Sequence, residues 1–135
     1  MNRDKWTKKE KTVARRAFEN AYKKECGETI NKIREIANNA SEPDDMWRLY
    51  DFLDEKREEI SIKYDYRYSV LILVFARLLK EGWITANDLE GLREDKIDRI
   101  THLGKVFDWR DREWINEDVI GDRYAITFFG ETGGW

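Results

Sequence analysis

Apolar residues recur every three or four positions over residues 14–37, which is the spacing of one face of an α-helix. The stripe comprises Ala14, Phe18, Ala21, Tyr22, Cys26, Ile30, Ile33 and Ala37. Thr7 and Glu10 form a capping-box pattern ahead of it, because their side chains can accept hydrogen bonds from backbone N–H groups at a helix start. The sequence therefore predicts one long helix over residues 8–39.

A second and a third helix follow from the next signals along the chain. The segment 41–45 combines a proline with N-cap oxygens, so it ends the first helix and begins another over 43–63. The predicted core stripe of that helix is Met46, Leu49, Leu53 and Ile60, with Phe52 at its edge. Asp65 is predicted to cap a third helix over 66–80, which is apolar on nearly every face and is therefore expected to be central.

A fourth helix is predicted over 86–103, and the pattern changes after it. Gly82 is a suitable stop for the third helix, and Thr85 to Asp88 is another start signal. The inward positions would be Leu89, Leu92, Ile97 and Ile100, with Gly104 as the end. Residues 105–135 carry seven aromatic residues and no helical stripe. We predict an all-α domain over 1–104 and a C-terminal extension over 105–135 that forms a short β-like hairpin or an irregular arm around Tyr124–Phe129.

The length of the first predicted helix indicates an oligomer. A helix of about 32 residues is about 48 Å long, which exceeds what a compact globule of this size needs. Its stripe needs a partner, which is the second helix folded back, a second copy of the chain, or both. We therefore expect three shorter helices after the long one and an elongated homodimer with twofold symmetry.

Charge is distributed unevenly although the net charge is only −3. Residues 1–34 carry 11 basic and 5 acidic side chains, whereas residues 42–65 carry 4 basic and 9 acidic ones. The two segments would neutralise each other if they packed antiparallel. A basic run could instead bind nucleic acid, but it wraps around the helix and faces this internal competitor, so we expect no nucleic-acid partner. The basic run consists of Lys8, Lys9, Lys11, Arg15 and Arg16.

Catalytic and metal-binding chemistry has little support in the composition. One histidine and one cysteine are too few for a Cys/His zinc site, and no glycine-rich phosphate loop precedes a helix. The carboxylates of the second helix lie beside basic residues, as on a solvated surface. We expect no catalytic residue, no metal and no cofactor. The apolar run Val70–Ala76 is too short to span a membrane, and the lone Cys26 and a start without an apolar signal core favour the cytoplasm.

The most informative group of residues lies on the second predicted helix. Trp47, Tyr50, Asp51, Asp54 and Arg57 cluster on a flank beside the core stripe, because each residue advances about 100° around a helix. Tryptophan, tyrosine and arginine are enriched where proteins grip a partner. We interpret this group, called the binding patch below, as a protein-binding surface. The alternative is that Trp47 fills the joint between two helices or a dimer seam.

A resemblance to a known family covers about 36 contiguous residues of this region. The matching positions are Trp47–Leu53, Lys56-Arg57, Glu59-Ile60, Lys63–Asp65, Arg67, Ser69–Ile72, Val74–Ala76, Leu78-Leu79 and Glu81-Gly82. These residues resemble the fluorescence recovery protein family of cyanobacteria. The resemblance implies an all-helical homodimer that binds the C-terminal domain of the orange carotenoid protein. By binding, the family hastens the return of the red form to the orange form and ends phycobilisome quenching.

The resemblance also implies which residues contact the partner. Trp47, Asp51 and Arg57 match the family's functional tryptophan, aspartate and arginine. Tyr50 replaces a family histidine, Leu73 replaces an apolar aromatic, and Arg99 corresponds to a lysine.

Two alternatives to this function remain open. Family members end close to the fourth helix, and relatives occur in bacteria that have no carotenoid partner. The chain could therefore be a dimeric scaffold or interaction protein with another partner. It could also be a structural dimer whose aromatic extension covers the flank of the second helix.

Overall fold

The computed structural model describes residues 5–106 of the chain. The elements, in chain order, are α1 (Lys8–Asn38), α2 (Pro43–Lys63), α3 (Leu71–Glu81), a 3₁₀ helix (Ala86–Leu89) and α4 (Glu94–Val106). The predicted all-α class is confirmed over this range. The predicted extension, with its β-like arm around Tyr124–Phe129, lies outside the described residues, as does most of the segment 105–135.

The long helix α1 begins and ends close to where the sequence predicts. Thr7 Oγ1 accepts from the backbone N–H of Glu10 at 3.1 Å, and a Glu10 carboxylate oxygen accepts from the Thr7 N–H at 3.0 Å. The predicted capping box is therefore present. The helix continues without a break through Gly27 to Asn38, so α1 is about 46 Å long. Only its N-terminal half is covered by the core, where Ala14, Ala17 and Ala21 are buried.

The predicted core stripe of α2 is wrong for the single chain. Met46 and Leu53 are 55% and 46% exposed, and Leu49 and Ile60 are only half-buried. Lys63, in the last turn, is the one residue of α2 that is buried. The reason is positional: α2 joins the body of the protein mainly through this C-terminal end, so no apolar layer within residues 5–106 covers the stripe.

Helix α3 is central, as predicted, but it begins at Leu71 instead of residue 66. Six of its eleven residues are buried, and Phe75 is completely buried. Asp65 does not cap it; its carboxylate instead accepts from Arg67 at 2.6 Å. The chain before α3 is non-helical because Tyr66 and Tyr68 lay their rings against α1. The Tyr66 ring meets the Phe18 ring edge-on at a centroid distance of 4.8 Å.

The predicted fourth helix is two elements. Gly82 ends α3 with a φ of 88°, as expected of a glycine stop. Thr85 and Asp88 form the predicted capping box, but it opens only the short 3₁₀ helix. Gly91, with a φ of 110°, cannot continue a right-handed helix, so α4 begins three residues later.

Gly104 is a packing residue and not the predicted end, because α4 continues through it to Val106. A Cβ atom at Gly104 would lie 3.1 Å from the backbone oxygen of Ala76. The absence of a side chain therefore lets α4 approach α3 closely. The predicted inward positions Leu89, Leu92 and Ile100 are buried, and they complete the core around α3.

Candidate functional site

Four of the five residues of the binding patch are solvent-exposed, and Asp54 is half-buried. Trp47 is 59% exposed and Tyr50 is 61% exposed. Both are large aromatic side chains, and neither fills the core of the single chain. Exposed aromatic area of this size is typical of surfaces that bind another protein. The alternative that Trp47 fills the joint between α1 and α2 is therefore wrong for the single chain.

An apolar groove of about 520 Å³ runs between α1 and α2 beside the binding patch. The lining from α1 is Cys26, Thr29, Ile30 and Ile33, and the lining from α2 is Tyr50, Leu53, Asp54, Lys56, Arg57 and Ile60. Three residues of the binding patch thus border the groove. Trp47 and Asp51 are exposed on the same helix but do not line it.

An ion pair organises the polar end of the binding patch. The guanidinium of Arg57 donates to the Asp54 carboxylate at 3.1 Å, one helical turn away. The Arg57 side chain is still 79% exposed, so it remains open to an additional anionic or carbonyl acceptor. Pairs of this kind add less than about 1 kcal/mol to stability. The pair mainly restricts the Arg57 side chain at the edge of the groove.

The two remaining predicted contact residues lie elsewhere in the fold. Leu73 is on α3 and Arg99 is on α4, and both are half-buried. Neither lines the groove between α1 and α2. Within one chain, the structure therefore brings together Tyr50, Asp54 and Arg57 but does not bring Leu73 or Arg99 to them.

A buried ionic network holds the C-terminal end of α2 against the body of the protein. Lys63 Nζ donates to the Glu25 carboxylate at 2.6 Å and to the Glu81 carboxylate at 2.7 Å, which joins α2 to α1 and α3. Burial by itself would raise the pKa of Glu81, but hydrogen bonds from Lys63 and Arg77 outweigh it and hold that pKa below its usual value. The network fixes the angle at which α2 leaves the core.

Tyr64 completes this junction from the first residue after α2. Its hydroxyl donates to Glu25 at 2.9 Å, and its ring packs edge-on against Phe18 and Tyr22. Burial and the hydrogen bond to the Glu25 carboxylate raise the pKa of Tyr64 far above its usual value. The hydroxyl is therefore a permanent donor at physiological pH.

A second buried pair ties α4 to the start of α1. Lys96 is completely buried, and its Nζ lies 3.1 Å from a Glu10 carboxylate oxygen and 4.9 Å from the centroid of the Trp6 ring. Burial would raise the pKa of Glu10, but backbone hydrogen bonds from Thr7 and Arg93, together with Lys96, lower it. Glu10 therefore both caps α1 and binds α4.

Neither ion network was predicted from the sequence. Charged residues at the ends of amphipathic helices are ordinarily solvated, so periodicity places them outside the core. The one available signal was the capping box. It predicted a structural role for Glu10 but not the contact of Glu10 with Lys96, which is 86 positions away.

Comparison with known proteins identifies the family of this chain. A family model described as the photoprotection regulator fluorescence recovery protein matches residues 6–104. The chain belongs to the fluorescence recovery protein family. It is 41% identical over 101 residues to the fluorescence recovery protein of Synechocystis sp., and that alignment covers 75% of this chain and 93% of the relative. The resemblance recognised in the sequence is confirmed.

Solved structures of fluorescence recovery proteins share the fold. The Fremyella diplosiphon protein superposes with a TM-score of 0.70 at 46% identity, covering 73% of this chain and 97% of that chain. The Synechocystis protein superposes with a TM-score of 0.73 at 40% identity, covering 76% of this chain and 100% of that chain. The chain thus belongs to a family of photoprotection regulators, and its described residues 5–106 share the helical fold of that family.

Within residues 5–106, no group of three histidine, cysteine, aspartate or glutamate residues is placed to hold a metal ion. No helix in the same range is long and apolar enough to cross a membrane. The notable surface features are the binding patch and the adjoining groove.

Proposed function

We propose that this chain is a non-catalytic, homodimeric regulator that binds a partner protein through the binding patch on α2. The observation that carries the proposal is the exposure of Trp47 and Tyr50 beside an apolar groove, in a chain that belongs to a family of photoprotection regulators. We assign this role to residues 1–104 and place the protein in the cytoplasm.

The second copy supplies the apolar cover that α2 lacks. Met46, Leu53 and Ile30 are each about half exposed, and Leu53 and Ile30 line the groove. Burying this apolar stripe against a second copy would stabilise the dimer by about 25 cal/mol for each Å² removed from water. A twofold dimer that covers the apolar lining of the groove, with the binding patch at the edge of the interface, would satisfy both helices with one contact and leave the patch open to a partner.

The oligomeric state is tested by placing a charge in the groove. Leu53→Asp leaves the monomer core intact, because Leu53 is 46% exposed in the single chain. Light scattering should show twice the chain mass of 16.3 kDa for the parent protein and a single chain mass for the variant. Ser61→Asp adds the same charge at an exposed position of α2 and should remain dimeric. A parent protein with the mass of one chain contradicts the dimer.

The proposed partner is the orange carotenoid protein, bound mainly through its C-terminal domain. The family assignment supports this partner, and Trp47, Asp51 and Arg57 retain the residue types expected at the contact. A regulator of this kind acts by binding one conformation of its partner more tightly, or by lowering the barrier between two conformations. We propose Leu73 on α3 and Arg99 on α4 as further contacts, on a part of the surface separate from the groove.

The test measures relaxation of the carotenoid protein. The two proteins are mixed and illuminated, and the return from the red to the orange form is followed in the dark. The parent chain should accelerate the return, and Trp47→Ala and Arg57→Ala should each lose most of that acceleration. Arg48→Ala is the control, because Arg48 is exposed on the same helix but outside the binding patch.

A second candidate function is a dimeric interaction protein with a different partner. The observation that favours it is Tyr50, which is 61% exposed at a position where the family resemblance implies a histidine. Failure of the parent chain to accelerate relaxation or to co-elute with the carotenoid protein would favour this candidate over the first. The binding patch would then remain the surface to use in isolating the partner.

A further inference from the structure

A second surface, on the opposite half of α1 from the groove, is basic and partly concave. A hollow of about 500 Å³ lies among Lys8, Lys11, Thr12, Arg15, Arg16, Glu19 and Tyr68. We call the four basic residues and Tyr68 the basic face. It occupies the N-terminal part of α1, whereas the groove described above begins at Cys26.

Aromatic rings hold two of these cations in place. The Arg15 guanidinium lies 4.0 Å from the centroid of the Tyr66 ring, and Lys11 Nζ lies 5.1 Å from that of the Tyr68 ring. Stacking on a ring restricts a long basic side chain while leaving its polar edge exposed. The cations are therefore partly ordered before any anion arrives.

Acidic groups within residues 5–106 leave the basic face largely unneutralised. Among residues 5–106, the one ion pair on this face joins Arg15 to Glu19 at 3.9 Å, and both side chains are more than half exposed. The expectation that acidic α2 would neutralise this segment is wrong in the single chain, because the ion pairs between α1 and α2 use Glu25 with Lys56 and Lys63. The face therefore retains its positive charge.

We propose that the C-terminal segment 107–135 of the same chain docks on the basic face. This segment carries seven acidic and three basic residues, so its charge is opposite to that of the face. Its seven aromatic residues could pack against Tyr68, whose ring lines the hollow. An acidic, aromatic segment thus complements the basic face in both charge and chemistry.

The connection to α4 places the basic face within reach of this segment. Lys96, near the start of α4, contacts Glu10, and Val106 is about 15 Å further along α4. The basic face therefore lies within about 40 Å of Val106, a span that about 12 extended residues cover. The segment has 29 residues, so more than half of it remains for contact.

Zero-length carbodiimide crosslinking of the full chain tests the contact, because it joins an amine to a carboxylate that it already touches. Lys8 and Lys11 should form crosslinks to acidic residues of 107–135. Lys32 with Glu35 is the internal positive control, since their charged atoms lie 3.0 Å apart. In a mixture of isotopically labelled and unlabelled chains, each of these crosslinks should join two peptides that carry the same label, because both come from one chain. Crosslinks between labels would assign the face to a second copy and overturn the proposal.

Charge reversal provides an independent measurement. In the full chain, Lys8→Glu with Lys11→Glu should accelerate chymotrypsin cleavage within 107–135 about three- to tenfold, as expected from losing two exposed ion pairs. Lys23→Glu with Lys24→Glu changes the same number of charges elsewhere on α1 and should leave the rate unchanged. Equal rates in the two variants would overturn the proposal.

A charge swap separates docking from a general loss of stability. Adding Glu113→Lys, Glu117→Lys and Asp118→Lys to the Lys8→Glu, Lys11→Glu chain should restore slow cleavage. These changes create no new aromatic cleavage site. The Lys8→Glu, Lys11→Glu variant could instead lose retention on heparin while its cleavage rate equals that of the parent chain. That result would mean that the basic face binds polyanions and not the C-terminal segment, and it would also overturn the proposal.

Discussion

Replacing Lys63 with methionine should destabilise the protein strongly, because this side chain joins three helices at one buried point. Its Nζ lies 2.6 Å from Glu25, whose side chain is 2% exposed, and 2.7 Å from Glu81, whose side chain is 29% exposed. The methionine would preserve the volume of the aliphatic stem but leave Glu25 buried without its main cation.

The magnitude follows mainly from Glu25. Removing one partner of a buried ion pair costs about 3–5 kcal/mol, whereas the half-solvated contact with Glu81 is screened and adds less than about 1 kcal/mol. For a chain of this size, a loss of about 3 kcal/mol lowers Tm by about 10–15 °C. Chemical and thermal unfolding of parent and variant, followed by circular dichroism at the same protein concentration, measures this loss with the contribution of association held fixed.

Lys56→Met is the matched control on the same helix. Its Nζ lies 3.7 Å from Glu25 and its side chain is 24% exposed, so its loss should cost less than about 1 kcal/mol. A double-mutant cycle with Glu25→Leu should give a coupling energy to Lys63 of at least about 2 kcal/mol. A Lys63→Met variant as stable as Lys56→Met, or a coupling near zero, would refute this account of how α2 is anchored.

Further predictions concern the glycines and acid stability. Gly82→Ala should lower the free energy of unfolding by about 1 kcal/mol, because alanine disfavours the left-handed backbone there. Gly91→Ala should lower it by about 2–4 kcal/mol, because its Cβ would also lie 2.7 Å from Val13 Cγ2. Equal denaturation midpoints for the two variants would contradict this ordering. Glu10 and Glu81 have a folded-state pKa below the usual 4.5, so the stability they contribute is present above about pH 4.5 and is lost as pH falls through the folded-state pKa. Unfolding titrations should therefore show stability declining below about pH 4.5, and Glu10→Gln should flatten that decline.

Local signals determined the helices that begin and end at specific side chains. The Thr7 capping box, the proline at the start of α2 and the αL glycine at Gly82 each act through their nearest neighbours in the chain. Their effect is independent of the remaining fold, so the bounds of α1 and α2 agree with prediction within a residue or two. The composition of α3 likewise required burial on every side.

The sequence also determined the composition of the binding patch and the family resemblance, because both depend on residue types at a fixed spacing along one helix. Whether those residues contact a partner protein stays a prediction. Leu73 and Arg99 show the limit of such reasoning, since spacing along the chain contains no information about which helices lie together.

Only the tertiary structure decided what is buried on α2 and where α3 and α4 begin. Periodicity identifies an apolar face but not the layer that covers it, so Met46 and Leu53 were assigned to a core that a single chain does not provide. The start of α3 depends on the packing of Tyr66 on Phe18 of α1 and of Tyr68 on Trp6, just before α1. The start of α4 depends on Gly91, whose backbone lies so close to Val13 that a side chain would clash. These outcomes arise from contacts between residues far apart in the chain, which local propensity does not encode.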